Sequence, residues 1–191
     1  MLAQAASFLA EVVIGLFSLA LLLRFFLQLV RAPFRNPVSQ FVAALTDFMV
    51  KPARRFIPGL WGVDLATLVL AWLCEVLLLV VLLAIRGVEP GTLGATAFVG
   101  ILVLALIKLL KTSVYIVMVA VFVLAIMSWF GTSSPLSPIL NAVTQPLLRP
   151  LQKRMPLVGN VDLSPLVLII VLQLVLIVPI AWLEMTVTRL F

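Results

Sequence analysis

The sequence predicts an all-α integral membrane protein of two tandem helical hairpins, with four core transmembrane helices. Three observations support this fold class. Apolar residues make up 64% of the 191 positions, several apolar runs approach the ~20 residues that a membrane helix needs, and one polar pattern occurs twice. A soluble domain of this size has too little interior to bury so much apolar side chain, whereas lipid can solvate it.

The apolar runs are separated by polar, proline-marked stretches. They cover residues 5–30, 64–85, 92–107, 112–130 and 163–183. The first run is too long for a cleavable signal sequence and nothing basic precedes it, so we expect a spanning helix. The third run is near the lower length limit for a span. It is either a fifth crossing or a re-entrant, interfacial or packed segment.

Polar residues and prolines recur at a fixed interval of 98 positions, the separation of Asp64 and Asp162. Self-similarity of this kind is typical of a duplicated unit. The same interval joins Pro37 with Pro135, Thr46 with Thr144, Lys51 with Arg149, Pro52 with Pro150, and Pro58 with Pro156. We therefore predict a first repeat at 1–90, a connecting apolar segment at 91–111 and a second repeat at 112–191.

Each repeat contains a cap-and-proline pair, Asn36-Pro37 or Ser134-Pro135, followed by a short amphipathic helix suited to the membrane interface. Pro146 is expected to shorten the second of these helices. Two prolines then bound a basic loop in each repeat and are expected to prevent a continuous helix. These loop-shaping residues are Pro52, Pro58, Pro150 and Pro156.

The basic side chains of the two loops are expected to contact anionic lipid headgroups, each contributing ~1 kcal/mol, or protein partners. They are Lys51, Arg54, Arg55, Arg149, Lys153 and Arg154.

A proline-bounded arginine segment, followed by an aspartate that opens an apolar helix, occurs in both halves and resembles the bacterial YggT family in its two-repeat form. The resemblance covers nearly the whole chain. It implies a multi-pass membrane protein with an accessory or organising role, linked to tolerance of osmotic or salt shock. The family's paired arginines fall on Arg54 and Arg55 in the first copy but on Gln152 and Lys153 in the second. Equal roles for the two loops are therefore not expected.

Several polar residues lie inside or beside the apolar runs, where a charge costs a few kcal/mol. Glu75 and its repeat counterpart Gln173 are placed near mid-membrane, either in an ion or proton path or as hydrogen-bonded contacts between helices. Arg24 either extends to the headgroups or reaches inward toward Glu75. Asp64 and Asp162 are expected to cap the helices they open, with salt bridges to nearby arginines as the alternative.

Opposite charges also fall at equivalent depths of the two copies. Arg86 corresponds to Glu184, and the positions corresponding to Lys108 and Lys111 flank Glu11. This pattern predicts one ion pair between Arg86 and Glu184, and another between Glu11 and either lysine.

Two topologies are compatible with these runs. Four crossings put both basic loops in the cytoplasm, whereas a fifth crossing at 92–107 puts them on opposite sides, as in inverted-repeat transporters. Counting basic residues gives eight against four for either arrangement. We predict four crossings, because the same basic loop is best matched to the same anionic leaflet.

No catalytic constellation is visible, since histidine is absent and Cys74 is the only cysteine. No intramolecular disulfide can form, and a zinc site of the usual kind is excluded, so we predict no metal and no cofactor. The basic residues lie in short loops beside apolar runs, which argues against a nucleic-acid partner despite the net charge of +6.

We therefore predict a non-enzymatic, multi-pass protein of the bacterial inner membrane. Its expected partners are the bilayer, further copies of itself and other membrane proteins. The alternative is a small oligomeric ion or solute channel or transporter with a polar path at mid-membrane.

Overall fold

The computed structural model describes residues 1–31, 36–59, 63–88, 94–130, 136–154 and 162–189, and its regular structure is helical. A π-helical turn at Leu176–Ile180, which contains Pro179, joins the last two helices. The helices are α1 (Leu2–Leu29), α2 (Pro37–Phe56), α3 (Leu65–Ile85), α4 (Ala95–Phe130), α5 (Ser137–Gln152), α6 (Ser164–Val175) and α7 (Ala181–Thr188).

Four helical segments are long and apolar enough to cross a membrane. They are Leu2–Leu29, Leu65–Ile85, Ala95–Ser128 and Ser164–Thr188. At a rise of 1.5 Å per residue, each reaches across a hydrocarbon layer of ~30 Å. The predicted all-α, four-span membrane fold is thus confirmed, and the chain is a multi-pass membrane protein.

Helix α4 has 36 residues, or about 54 Å of length, and unites two of the apolar runs. Lys108 and Lys111 interrupt the apolar pattern but not the helix, because lysine favours helical backbone and residues 101–130 contain no glycine or proline. The described part of run 92–107 is therefore neither a separate crossing nor a re-entrant segment. The boundary predicted between residues 111 and 112 lies inside this helix.

The two halves have similar helix contacts. Helix α2 packs against α1 and α3, α5 packs against α4 and α6, and α3 joins the halves by packing on α4. Val50 of α2 and its counterpart Leu148 of α5 are both fully buried. Thr46 and Thr144 are also buried, and each donates a hydrogen bond to the carbonyl four residues earlier, at 2.6 and 2.8 Å. The buried faces of α2 and α5 thus use equivalent positions.

The prediction that prolines interrupt the interfacial helices is wrong. Pro52 lies inside α2, and both Pro146 and Pro150 lie inside α5. Each proline removes one backbone N–H group, yet residues that follow it still bond to earlier carbonyls, as Ile57 does to Ala53 at 2.9 Å. Most of the basic segment expected as a loop is consequently the last part of a helix.

The beginnings of the interfacial helices differ between the repeats. Asn36 caps α2 as predicted, accepting a hydrogen bond of 2.7 Å from the Ser39 backbone N–H. Helix α5 begins at Ser137, and the predicted cap-and-proline pair at 134–135 lies outside the described residues. Pro58 follows the end of α2 and is exposed, whereas Pro156 also falls outside the described residues.

Candidate functional site

Arg24 joins the first spanning helix to the first interfacial helix. Its side chain is only 8% exposed, and one guanidinium nitrogen lies 2.8 Å from a carboxylate oxygen of Asp47. The other terminal nitrogen donates to the Thr46 hydroxyl at 2.7 Å. Both predicted readings of Arg24 are therefore wrong, because the residue neither extends alone to the headgroups nor reaches Glu75. It fixes α2 against α1.

Asp47 was not predicted from the sequence as the ion-pair partner of Arg24. It also accepts a hydrogen bond from Lys51, one helical turn later, at 2.8 Å. The Lys51 ammonium lowers the pKa of Asp47 and Arg24 adds to this effect, and together they outweigh the opposing effect of desolvation. The Asp47–Lys51 spacing is the i,i+4 spacing of a helical ion pair, and this was the available sequence signal.

A second polar cluster joins the end of α2 to the start of α3. Arg54 contacts one oxygen of Asp64 through two nitrogens, at 2.6 and 3.2 Å. Asp64 also caps α3, since it accepts hydrogen bonds from the Thr67 backbone N–H at 3.4 Å and from the Thr67 hydroxyl. Asp64 is thus both a helix cap and a salt-bridge partner, the two roles that its sequence position suggests.

Gln28 completes this second cluster from α1. With its amide oxygen toward Arg54 and its amide nitrogen toward Asp64, it accepts from the former at 2.5 Å and donates to the latter at 2.7 Å. Arg24 and Gln28 are one turn apart on α1. One face of this helix therefore holds both polar clusters.

The ion pair at Asp64 makes stability depend on pH. Burial raises the pKa of Asp64, but Arg54 and Thr67 outweigh this effect, so the folded-state pKa lies below its ordinary value. The resulting stabilisation is present above the ordinary value of about 3.9 and is lost as the pH falls through the lower folded-state pKa. We expect the melting temperature in detergent to fall between pH 5 and 3, and to fall less in Asp64→Asn. An equal fall in both proteins would contradict this role.

The second repeat replaces these ion pairs with amide hydrogen bonds. Gln152 donates to Asp162 at 2.8 Å where the first repeat has Arg54 and Asp64. Arg149 donates to Gln145 at 2.9 Å where the first repeat has Lys51 and Asp47. The counterpart of Arg24 is Phe122, which is exposed.

Leu163 is the N-cap residue of α6, and Asp162 lies one position before it. It nevertheless accepts the Ser164 backbone N–H at 2.9 Å, so it satisfies the helix start from just outside it. Burial raises the pKa of Asp162, but hydrogen bonds from Ser164 and Gln152 lower it further than burial raises it.

The ends of both interfacial helices present exposed cations. Lys51, Arg55 and Arg149 are exposed on α2 and α5, and Lys153 and Arg154 are exposed just after α5. Arg55, Lys153 and Arg154 form no ion pair with another described residue. Helix α2 also exposes an apolar stripe of Phe41, Leu45 and Phe48, a combination suited to the bilayer interface.

Glu75 lies buried in the bundle and accepts a hydrogen bond of 2.8 Å from the hydroxyl of Ser18, which is also buried. Its predicted companion, Gln173, is exposed on α6 and has no hydrogen bond to another described residue. The structure thus places Glu75 between α1 and α3 and leaves Gln173 on the outer surface, so one chain does not bring them together.

The intramembrane ion pair of the second half differs from the prediction. Glu184 of α7 contacts Lys111 of α4 at 2.8 Å, so the predicted pair with Arg86 is wrong. Glu11, Arg86 and Lys108 line one cavity of about 240 Å³. Among the described residues, however, none of these three forms an ion pair.

The polar side chains described above can interact with other molecules through charge and hydrogen bonding. Within the described ranges, no group of three or more His, Cys, Asp or Glu side chains could hold a metal ion. The exposed cations can bind anionic groups, and the buried hydrogen bond from Ser18 to Glu75 joins α1 to α3.

A model of the family described as CCB3/YggT matches residues 3–85 and again 103–183. An uncharacterized protein of Pseudomonas aeruginosa is 36% identical over 173 residues, which cover 90% of this chain and 86% of the relative. The uncharacterized protein YggT of Escherichia coli K12 is 34% identical over 170 residues, or 88% and 86% of the two chains. An uncharacterized protein of Vibrio alginolyticus is 36% identical over 168 residues, or 87% and 89%. No solved structure matches the chain.

Proposed function

The chain belongs to the CCB3/YggT family, and from this premise we propose that it is a non-enzymatic accessory protein of the bacterial inner membrane. It organises anionic lipids or other membrane proteins at the end of the bundle that carries α2 and α5. Through this activity it contributes to tolerance of osmotic or envelope stress.

One observation supports this proposal above the others. Helix α2 is fixed to the bundle by the Arg24–Asp47 and Arg54–Asp64 contacts, at 2.8 and 2.6 Å, while Lys51 and Arg55 stay exposed. A cationic surface on a fixed helix binds with less loss of conformational entropy than the same charges on a mobile loop. Such a surface suits docking.

The proposal predicts that the exposed cations are needed for stress protection. In a bacterial host that lacks its own family member, replacement of Lys51, Arg55, Lys153 and Arg154 by glutamine should abolish survival after osmotic upshift. It should also abolish the crosslinking of specific membrane proteins to the chain. Survival is measured beside the melting temperature of the purified variant. The melting temperature should fall only slightly, because Lys51 is the one member of this set that pairs with another described residue, through its surface contact with Asp47.

The matched control is Arg86→Gln, which removes an exposed cation at the other end of α3. This change should leave survival and crosslinking unaltered. Full survival of the fourfold variant would contradict an organising role for the basic surface.

A second candidate is a small oligomeric ion or solute channel or transporter. It is favoured by the buried Ser18–Glu75 hydrogen bond and by Gln173, whose amide is exposed on a membrane-spanning surface. A polar amide in lipid is best satisfied by another helix, and a second copy of the chain supplies one. In such an oligomer the two residues contribute to one polar path.

Flux across liposomes separates the two functions. The accessory role predicts no proton or potassium movement above that of empty liposomes, and no effect of Glu75→Gln on stress survival. A flux that disappears with Glu75→Gln, together with loss of survival in the same variant, would favour the channel.

A further inference from the structure

The second repeat contains a polar cavity of about 230 Å³ between α4, α5 and α6. Its polar lining consists of Ser128, Asn141, Gln152 and Asp162. Its apolar wall consists of Leu124, Ala125, Leu148 and Pro165. The cavity lies where α6 begins, next to the exposed basic end of α5, so it is close to the level of the lipid headgroups.

The first repeat shows which chemical group fits beside the carboxylate of this site. At the repeat interval, Gln152 and Asp162 correspond to Arg54 and Asp64, and there the Arg54 guanidinium lies 2.6 Å from the carboxylate. In the second repeat, Asp162 accepts hydrogen bonds from the Gln152 amide at 2.8 Å and from the Ser164 backbone N–H at 2.9 Å, and it forms no ion pair with another described residue. The carboxylate thus stands at the same repeat position as Asp64, but among the described residues no cation pairs with it.

The cavity has also gained polar groups that the first repeat does not have. Ser128 and Asn141 stand where the first repeat has Val30 and Ala43. Neither polar side chain makes a hydrogen bond to another described residue, although both line the cavity. Their oxygens can therefore accept N–H donors from a ligand, alongside the Asp162 carboxylate.

The basic residues beside the cavity restrict the kind of cation that can enter. Lys153 and Arg154 directly follow Gln152, and both are exposed and without an ion pair among the described residues. They repel a simple cation. A zwitterion that carries a phosphate next to its amine is compatible with both features of the site. The amine can donate to the oxygens of the cavity, and the phosphate can pair with Lys153 and Arg154.

We propose that this cavity binds the headgroup of a phosphoethanolamine lipid. The primary ammonium enters the cavity and donates its hydrogen bonds to Asp162, Ser128 and Asn141. The phosphate contacts Lys153 and Arg154, and the glycerol region lies against the apolar wall. This inference does not depend on the proposed function, since a lipid site is compatible with either candidate.

Lipid selectivity provides the first test. Delipidated protein in detergent is titrated with phosphatidylethanolamine, phosphatidylcholine or phosphatidylglycerol, and the bound lipid is measured by native mass spectrometry. Phosphatidylethanolamine should bind about tenfold more tightly than phosphatidylcholine, because a trimethylammonium group has no N–H to donate and loses charge-assisted hydrogen bonds. Equal binding of all three lipids would overturn the proposal.

Two substitutions then locate the site. Gln152→Arg introduces the cation of the first repeat, so it should remove the preference for phosphatidylethanolamine while keeping or raising the melting temperature. Asp162→Asn retains a side chain that can cap a helix and should weaken phosphatidylethanolamine binding about tenfold through the lost charge. The control Thr186→Ala, on the exposed face of α7, should leave the lipid preference unaltered. A preference that survives both cavity substitutions would place the lipid elsewhere and overturn the proposal.

Discussion

Replacing Arg24 with leucine is expected to destabilise the protein by about 3 kcal/mol. Removal of one partner from a buried ion pair costs roughly 3–5 kcal/mol, because the other charge is left without compensation. The lower end applies here, since Asp47 is 30% exposed and retains Lys51. The free energy of unfolding is measured by titration with sodium dodecyl sulfate in mixed micelles.

The control for this prediction is Arg55→Leu, which removes an exposed arginine without an ion pair among the described residues. It should change the free energy of unfolding by no more than about 0.5 kcal/mol. The double change Arg24→Leu with Asp47→Leu should recover part of the loss, because an apolar pair can replace a buried ion pair. A single Arg24→Leu variant as stable as the control would contradict the assigned contact.

Reversing the charge of Glu184 to lysine is expected to destabilise the protein by about 2 kcal/mol. The change removes a charge-assisted hydrogen bond, which contributes roughly 1.5–3 kcal/mol, and it places a second cation beside Lys111. The double reversal, Glu184→Lys with Lys111→Glu, should restore most of the stability because the 2.8 Å contact can re-form with exchanged signs. The same unfolding titration measures both variants.

The comparison for this pair uses Arg86, the partner that the repeat interval had suggested. Combining Glu184→Lys with Arg86→Glu should give no recovery. Recovery with Arg86→Glu, and none with Lys111→Glu, would show that the assignment of the partner is wrong.

The sequence predicted the features that depend on local pattern. Uninterrupted apolar runs identified α1 and α3, and Asp64 was recognised as a cap because capping involves only the next three residues. The continuity of α4 was not predicted, because Lys108 and Lys111 divide its apolar sequence into two runs. Lysine nevertheless favours helical backbone, so the helix continues through both residues. Pro52 and Pro150 were given too much weight as helix breakers, although they lie close to the ends of α2 and α5.

Ion-pair partners were the least predictable part of the site. Asp47 lies 23 positions from Arg24, and their contact depends on how α2 lies against α1. Glu184 follows the π-helical turn at Leu176–Ile180. Such a turn inserts an extra residue and rotates the helix after it, and α3 has no equivalent turn. For this reason the repeat interval predicted Arg86 as the partner of Glu184, whereas the partner in the structure is Lys111.

The side of the membrane that each interfacial helix faces tests the four-span fold most directly. In a Cys74→Ser background, Lys51→Cys and Lys153→Cys report on α2 and on the end of α5, and Arg86→Cys reports on the opposite end of α3. Each cysteine is treated with a membrane-impermeant maleimide in intact cells and in inverted vesicles. The first two cysteines should react from the same side of the membrane and the third from the other side. Labelling of Lys51→Cys and Lys153→Cys from opposite sides would contradict the four-span arrangement.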